Sequence, residues 1–190
     1  MNAAANRPHD DAAYSGIAIG FHWLLAIAIV GSFSVGLYMH DLPLSPARLK
    51  LFNWHKWAGI TILALSAARL LWRLIRRPPP LPARVIASMP RWQQHAHRGT
   101  HAALYLLFFA VPLSGWAYSS ATGFSIVWFS VLPLPDWVPV NKELADTVLK
   151  PLHQCLAFTL AGAALLHVAA TVKHQFIDHD GLFWRMWPRR

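Results

Sequence analysis

The sequence predicts an all-α integral membrane protein, a four-helix bundle with both termini on the cytoplasmic side. Three observations carry this expectation. Asp, Glu, Lys and Arg make up 13% of the 190 residues, against about 25% in soluble domains. Hydrophobic residues make up 55% and the mean hydropathy is +0.34. Most of the charge lies between four apolar runs rather than within them.

Residues 1–15 read as a flexible tail. They are polar and carry two acids, and a full-length span follows them, unlike the short apolar core and cleavage site of a signal peptide. The first span covers about 20–39, inside a stretch from 12 to 40 without any charged residue; roughly 20 apolar positions suffice to cross the hydrocarbon. The second covers 52–75, with Lys56, Arg69 and Arg73 near its ends, where long side chains can snorkel. Pro78, Pro79 and Pro80 stop that helix, and 76–92 reads as a cytoplasmic loop. The third span is placed at 99–119. Residues 120–150 are expected as an outside amphipathic loop, tryptophan-rich and broken by three prolines. The fourth span covers 152–172, completing a bundle over 16–175, and 176–190 is a cytoplasmic tail.

Orientation follows from the basic residues. Segments 1–22, 69–99 and 173–190 hold twelve lysines and arginines, and the opposite side holds five, Arg48, Lys50, Lys56, Lys142 and Lys150. The side richer in Lys and Arg is cytoplasmic. The net charge of +9 is therefore a topology signal; no nucleic-acid-binding motif accompanies it. One cysteine, Cys155, excludes an intrachain disulfide and a multi-cysteine metal cluster; it is expected buried in the span as a small hydrophobe. Hydrolase and nucleotide-binding motifs are absent. Trp23, Trp54, Trp57, Trp72, Trp116 and Trp128 fall near span ends, as interfacial aromatic belts do. Gly31, Gly36, Gly59, Gly115 and Gly162 allow close helix contact or room for a bulky cofactor.

The chemistry rests on histidine. His22 opens the first span at its inner end, and His55 opens the second at its outer end. His153 and His167 lie at the outer and inner ends of the fourth. Fourteen residues correspond to about 21 Å of helix and return to within about 40° of one face, so His153 and His167 look into one interior at two depths. Depth then pairs His55 with His153 and His22 with His167. Two imidazoles from separate helices can hold haem iron axially with no open position, a site suited to electron transfer. Ionisable residues inside spans commonly mark cofactors or pathways. Arg69 follows His55 by the same fourteen residues and reaches the inner depth, to pair with a haem propionate or to snorkel; Arg73 is read as a headgroup contact.

His101 sits at the inner depth as a hydrogen-bonding residue near a haem edge or quinone, or as a rival ligand. His40 is a rival to His55. His95 and His97 are read as interfacial, and His9, His174 and His179 as solvent-facing. A single zinc site cannot use His22, His55, His153 and His167, because zinc needs its ligands converging within a few ångströms. Two smaller metal sites, in a haem-free metal-binding or transport protein, remain a reading of the residues alone.

Five segments, GFHWLLAIAI, FNWHKWAGITILALSAARLLWRL, THAALYLLFFAVPLSGW, LHQCLAFTLAGAALLHVAATVKHQF and DGLFWRMWPRR, together resemble the bacterial cytochromes b561. The resemblance covers about residues 15–190. It implies a four-span inner-membrane cytochrome with two non-covalent haem b groups, one on His22 and His167 and the other on His55 and His153. It further implies electron exchange between ubiquinone and a periplasmic partner, with superoxide oxidation as one such activity. Lys50, Lys56, Arg48 and Lys142 would then steer the anion. A similar four-helix dihaem plan serves as a membrane anchor that relays electrons between a dehydrogenase or hydrogenase and quinone.

Overall fold

Helix α1 (Gly16–His40) begins at Ser15, whose hydroxyl accepts from the Ala18 N–H at 3.3 Å. Helix α2 (Pro46–Ile75) begins at Ser45, which accepts from Arg48 N–H at 3.3 Å, with Pro46 in the first turn, where its missing N–H costs nothing. These two belong to a computed structural model that describes residues 14–188. The expected tail over 1–15 lies almost wholly outside the described residues, as does His9. A short helix α3 (Ala83–Ser88) interrupts the proline-rich inner loop, and α4 (Arg91–Ala121) follows. On the outer side come a small hairpin, β1 (Val127–Trp128) with β2 (Leu132–Pro133), and a short helix α5 (Lys142–Leu144). A π-helical turn (Ala145–Leu149) leads straight into α6 (Lys150–Phe176).

Among the described residues, four helices are long and apolar enough to cross a membrane. They exceed the spans read from hydropathy, most clearly α4, which starts at Arg91 rather than near 99. The hydrocarbon sets the length of an apolar run, but a helix continues for as long as its residues permit. Ile27, Val30, Leu165 and Leu166 are 66–70% exposed. In water such faces would aggregate; here they are the lipid surface, and the helical form lets the backbone meet its hydrogen-bonding needs without water. Cys155 is exposed on the bundle surface, not buried as expected. It lies two positions past His153, and a step of 200° takes it to the opposite face.

Helix α1 packs on α2, α2 on α4, and α4 on α6. Helices α1 and α6 meet through side chains, with the Phe33 and Phe158 rings 5.6 Å apart. The apolar core is Leu104, Leu107, Phe108 and Leu160, flanked by Ile29, Val111 and Leu156.

The indoles do more than mark the interface. Trp57 Nε1 donates to Val127 O at 2.6 Å, Trp116 Nε1 to Pro135 O at 3.2 Å and Trp128 Nε1 to Thr61 Oγ1 at 3.2 Å. These bonds, with Lys56 Nζ donating to Phe124 O at 2.9 Å, hold the hairpin down over the outer end. At the inner end Trp23 Nε1 donates to Met186 O at 2.8 Å and Arg185 Nη2 to Pro80 O at 2.8 Å. The segment after α6, including a 3₁₀ turn (Leu182–Arg185), is therefore strapped across the bundle. His174 Nδ1 lies 2.5 Å from Asp180 and 3.2 Å from Asp178, so it fastens this strap rather than facing solvent.

Lys173 Nζ donates to both carboxylate oxygens of Asp178, at 2.8 and 2.6 Å, and holds that carboxyl below its ordinary 3.8. A lowered carboxyl pKa adds stability that is complete above the ordinary value and is lost as pH falls through the lowered one. Amide protection across 182–187, followed by hydrogen exchange in detergent, accordingly falls as the pH is taken below about 4. Lys173→Met shows reduced protection already at pH 7.

Candidate functional site

The bundle interior is built in three layers with a spacing of seven residues along each helix, the repeat that keeps one face turned to its neighbours. From inside to outside, α1 presents His22, Ile29 and Gly36, and α6 presents His167, Leu160 and His153. Helix α4 presents His101, Phe108 and Gly115, and α2, running the other way, presents Arg69, Ile62 and His55. Ile62, Phe108 and Leu160 are buried, so an apolar layer separates two polar ones.

In the outer layer the His55 and His153 ring centres are 6.1 Å apart. His55 Nδ1 donates to Ser32 O at 3.0 Å, with Ser32 Oγ at 3.3 Å. His153 Nδ1 donates to Val111 O at 3.1 Å, with Ser114 Oγ at 3.0 Å. A carbonyl can only accept, so each Nδ1 carries the proton and each Nε2 keeps its lone pair. Each carbonyl lies four residues before a glycine, and each ring edge lies on that glycine. A Cβ at Gly36 would stand 3.1 Å from His55 Cε1, and one at Gly115 would stand 2.9 Å from His153 Cε1. The absent side chain is what lets an imidazole reach the helix backbone.

In the inner layer the His22 and His167 ring centres are 6.3 Å apart. The His101 ring lies 5.2 Å from His167 and 4.5 Å from His97. His101 Nδ1 donates to His97 O at 2.8 Å within its own helix. Arg69 Nη2 lies 3.5 Å from His22 Nδ1, and both Arg69 and Arg73 stack on Tyr105, at 5.4 and 5.2 Å. Arg73, read from sequence as a headgroup contact, is exposed at the mouth of the inner site beside Tyr105. A cavity of about 1240 Å³ opens here, lined by His22, Arg69, Arg73, His101 and His167 and, from the segment after α6, by Leu182–Met186. His40 stays at the outer end of α1, exposed and paired with Asp41 at 2.7 Å, away from His55.

Comparison with known proteins bears on this arrangement. The family model of prokaryotic cytochrome b561 matches residues 13–189. The chain belongs to the prokaryotic cytochrome b561 family. It is 37% identical to cytochrome b561 homolog 2 of Escherichia coli (strain K12), over 91% of this chain and 90% of that one. It is 32% identical to the probable superoxide oxidase CybB of Yersinia pestis, over 93% and 97%. Cytochrome b561 homolog 1 of Escherichia coli (strain K12) is 27% identical, over 93% and 98%.

A cytochrome b561 binds b-type haem, and the residues present fit that group. Imidazole nitrogen binds a metal at about 2 Å and lies about 1 Å from its ring centre, so two imidazoles across one iron have centres about 6 Å apart. His55 with His153 and His22 with His167 meet that spacing; His101 with His167, at 5.2 Å, is too close. No Cys-x-x-Cys-His is present, in keeping with non-covalent attachment. The two serines, the two carbonyls and the pairing of each glycine with a histidine escaped the sequence reading. The seven-residue spacing was the signal that could have found the glycines. A haem-to-protein ratio below wild type is expected for Gly115→Ala, and a wild-type ratio for Gly20→Ala, whose Cβ meets nothing within 4 Å; a pyridine haemochrome assay checks both.

Proposed function

We propose that the chain is a dihaem b-type cytochrome of the bacterial inner membrane that carries electrons from superoxide on the periplasmic side to ubiquinone. The observation that carries this reading is the pair of ring separations, 6.1 and 6.3 Å, at two depths of one interior. His55 and His153 hold the outer haem, and His22 and His167 hold the inner one. A haem held between two such imidazoles would supply a one-electron couple and would leave no open position for oxygen. The donor is inferred from the likeness to the Yersinia pestis relative.

Each residue then has a task. Arg48, Lys50, Lys56 and Lys142 make the outer end attractive to a small anion. Ile62, Phe108 and Leu160 keep water out between the two sites. Arg69 and Arg73 offer guanidinium groups to propionates at the inner site, the geometry that planar carboxylates favour. The inner cavity, at about 1240 Å³, exceeds the roughly 300–1,000 Å³ of an ordinary ligand site and leaves room for a quinone beside the haem. With Nδ1 bonded to His97 O, His101 presents an accepting Nε2, suited to a quinol hydroxyl. Two superoxide anions release two electrons and leave as two dioxygen molecules; one ubiquinone takes both electrons with two protons.

Two b haems per purified chain are expected, and His55→Ala and His167→Ala should each retain one. The isolated wild-type protein should oxidise superoxide with ubiquinone as acceptor, at a rate that falls as salt screens the outer cations. Two haems with no superoxide oxidation, and a dehydrogenase that copurifies, would instead make the chain an electron-relaying anchor. Chains without haem would overturn the proposal.

A further inference from the structure

The two histidine pairs are built from different surroundings. Both outer rings lean on backbone carbonyls, Ser32 O and Val111 O. Neither inner ring has a carbonyl partner among the described residues. His22 meets the Arg69 guanidinium, and His167 meets other rings. A carbonyl that accepts from Nδ1–H pushes electron density onto Nε2 and makes the ring a stronger donor to the metal. Stronger donation favours oxidised iron and lowers the potential. A guanidinium is charged at any working pH, and a cation beside a weakly screened site favours the reduced, less positive state.

The wider charge distribution has the same sign. Arg69, Arg73, Arg76, Arg77, Lys173 and Arg185 border the inner cavity and no carboxylate side chain lines it, so six cations stand against the two propionates that a haem would bring. At the outer site the cation next to His55 in sequence is Lys56, and it reaches away to α4 and the cap, donating to Ser119 Oγ at 3.3 Å and Phe124 O at 2.9 Å.

We propose that these contacts set an inward electron gradient: the carbonyls of Ser32 and Val111 hold the outer haem at the lower potential, and Arg69 holds the inner haem at the higher one. The proposal rests on the assignment of the two histidine pairs to two haems. Arg69 is a positioning and tuning residue in this scheme, acting on the inner site from beside His22. An electron that enters at the outer face is then driven toward the inner cavity and is not returned to dioxygen.

The test is an optical redox titration of the full-length, haem-loaded protein in detergent, resolved into its two components. Arg69→Gln lowers the higher-potential component only, with a shift in electron partition between the haems of about tenfold, or 59 mV for one electron. Arg69→Lys, which keeps the charge, restores most of the difference. Should Arg69→Gln fail to load the inner haem, the order is read from the two histidine variants: the haem left in His167→Ala titrates at the lower potential and the haem left in His55→Ala at the higher. Reversed order, or an Arg69→Gln shift confined to the lower-potential component, overturns the gradient while leaving the two-haem assignment standing. A haem count other than two per chain overturns the assignment itself.

Discussion

An imidazole placed inside a bilayer has no water to take its N–H bond, so each buried ring must find that partner in the protein. In this bundle the outer rings find it on the backbone of a neighbouring helix. A helical carbonyl is already bonded to the N–H four residues on, and here a ring from a neighbouring helix reaches it as a second donor where the side chain on that side is missing. Gly36 and Gly115 supply that opening, four residues after Ser32 and Val111. The consequence runs outward from there. The ring tautomers are fixed, each Nε2 keeps its lone pair, and α1 with α2, and α4 with α6, come close enough to pack.

The seven-residue repeat turns this local arrangement into an architecture. Because each helix repeats its inward position after seven residues, a histidine or glycine at one depth is followed by an apolar residue at the next and a polar one at the third. Ile29, Ile62, Phe108 and Leu160 form the middle layer without any separate provision. The same repeat accounts for Arg69, which stands two repeats from His55 and so enters the layer of His22 and His167. The ends are closed by different means: indole N–H groups and Lys56 tie the hairpin down outside, and the strap from Lys173 to Met186 covers the cavity inside.

Much of this was legible in the sequence because membrane solvation imposes coarse, regular signals. Apolar run length marked four spans, and the interval from His153 to His167 showed two depths of one face. What the sequence concealed depends on neighbours in space. The carbonyls of Ser32 and Val111 leave no trace in residue type, since any residue carries one. The ring of Tyr105, which both Arg69 and Arg73 approach, lies on another helix and leaves no mark in the sequence around them. The αL turn at Phe129 and Ser130 carries no glycine to announce a hairpin. Cys155 seemed buried because its run is apolar, but a run that faces lipid is apolar on every side.

In the proposed arrangement two pairs of imidazoles face each other across two irons. Electron paramagnetic resonance of the oxidised, haem-loaded protein tests it most directly, because spin state reports the number and strength of axial ligands. Two distinct low-spin ferric signals, with no high-spin component, are the expected result. A substantial high-spin signal, from iron lacking one imidazole, would contradict the pairing of His55 with His153 or of His22 with His167.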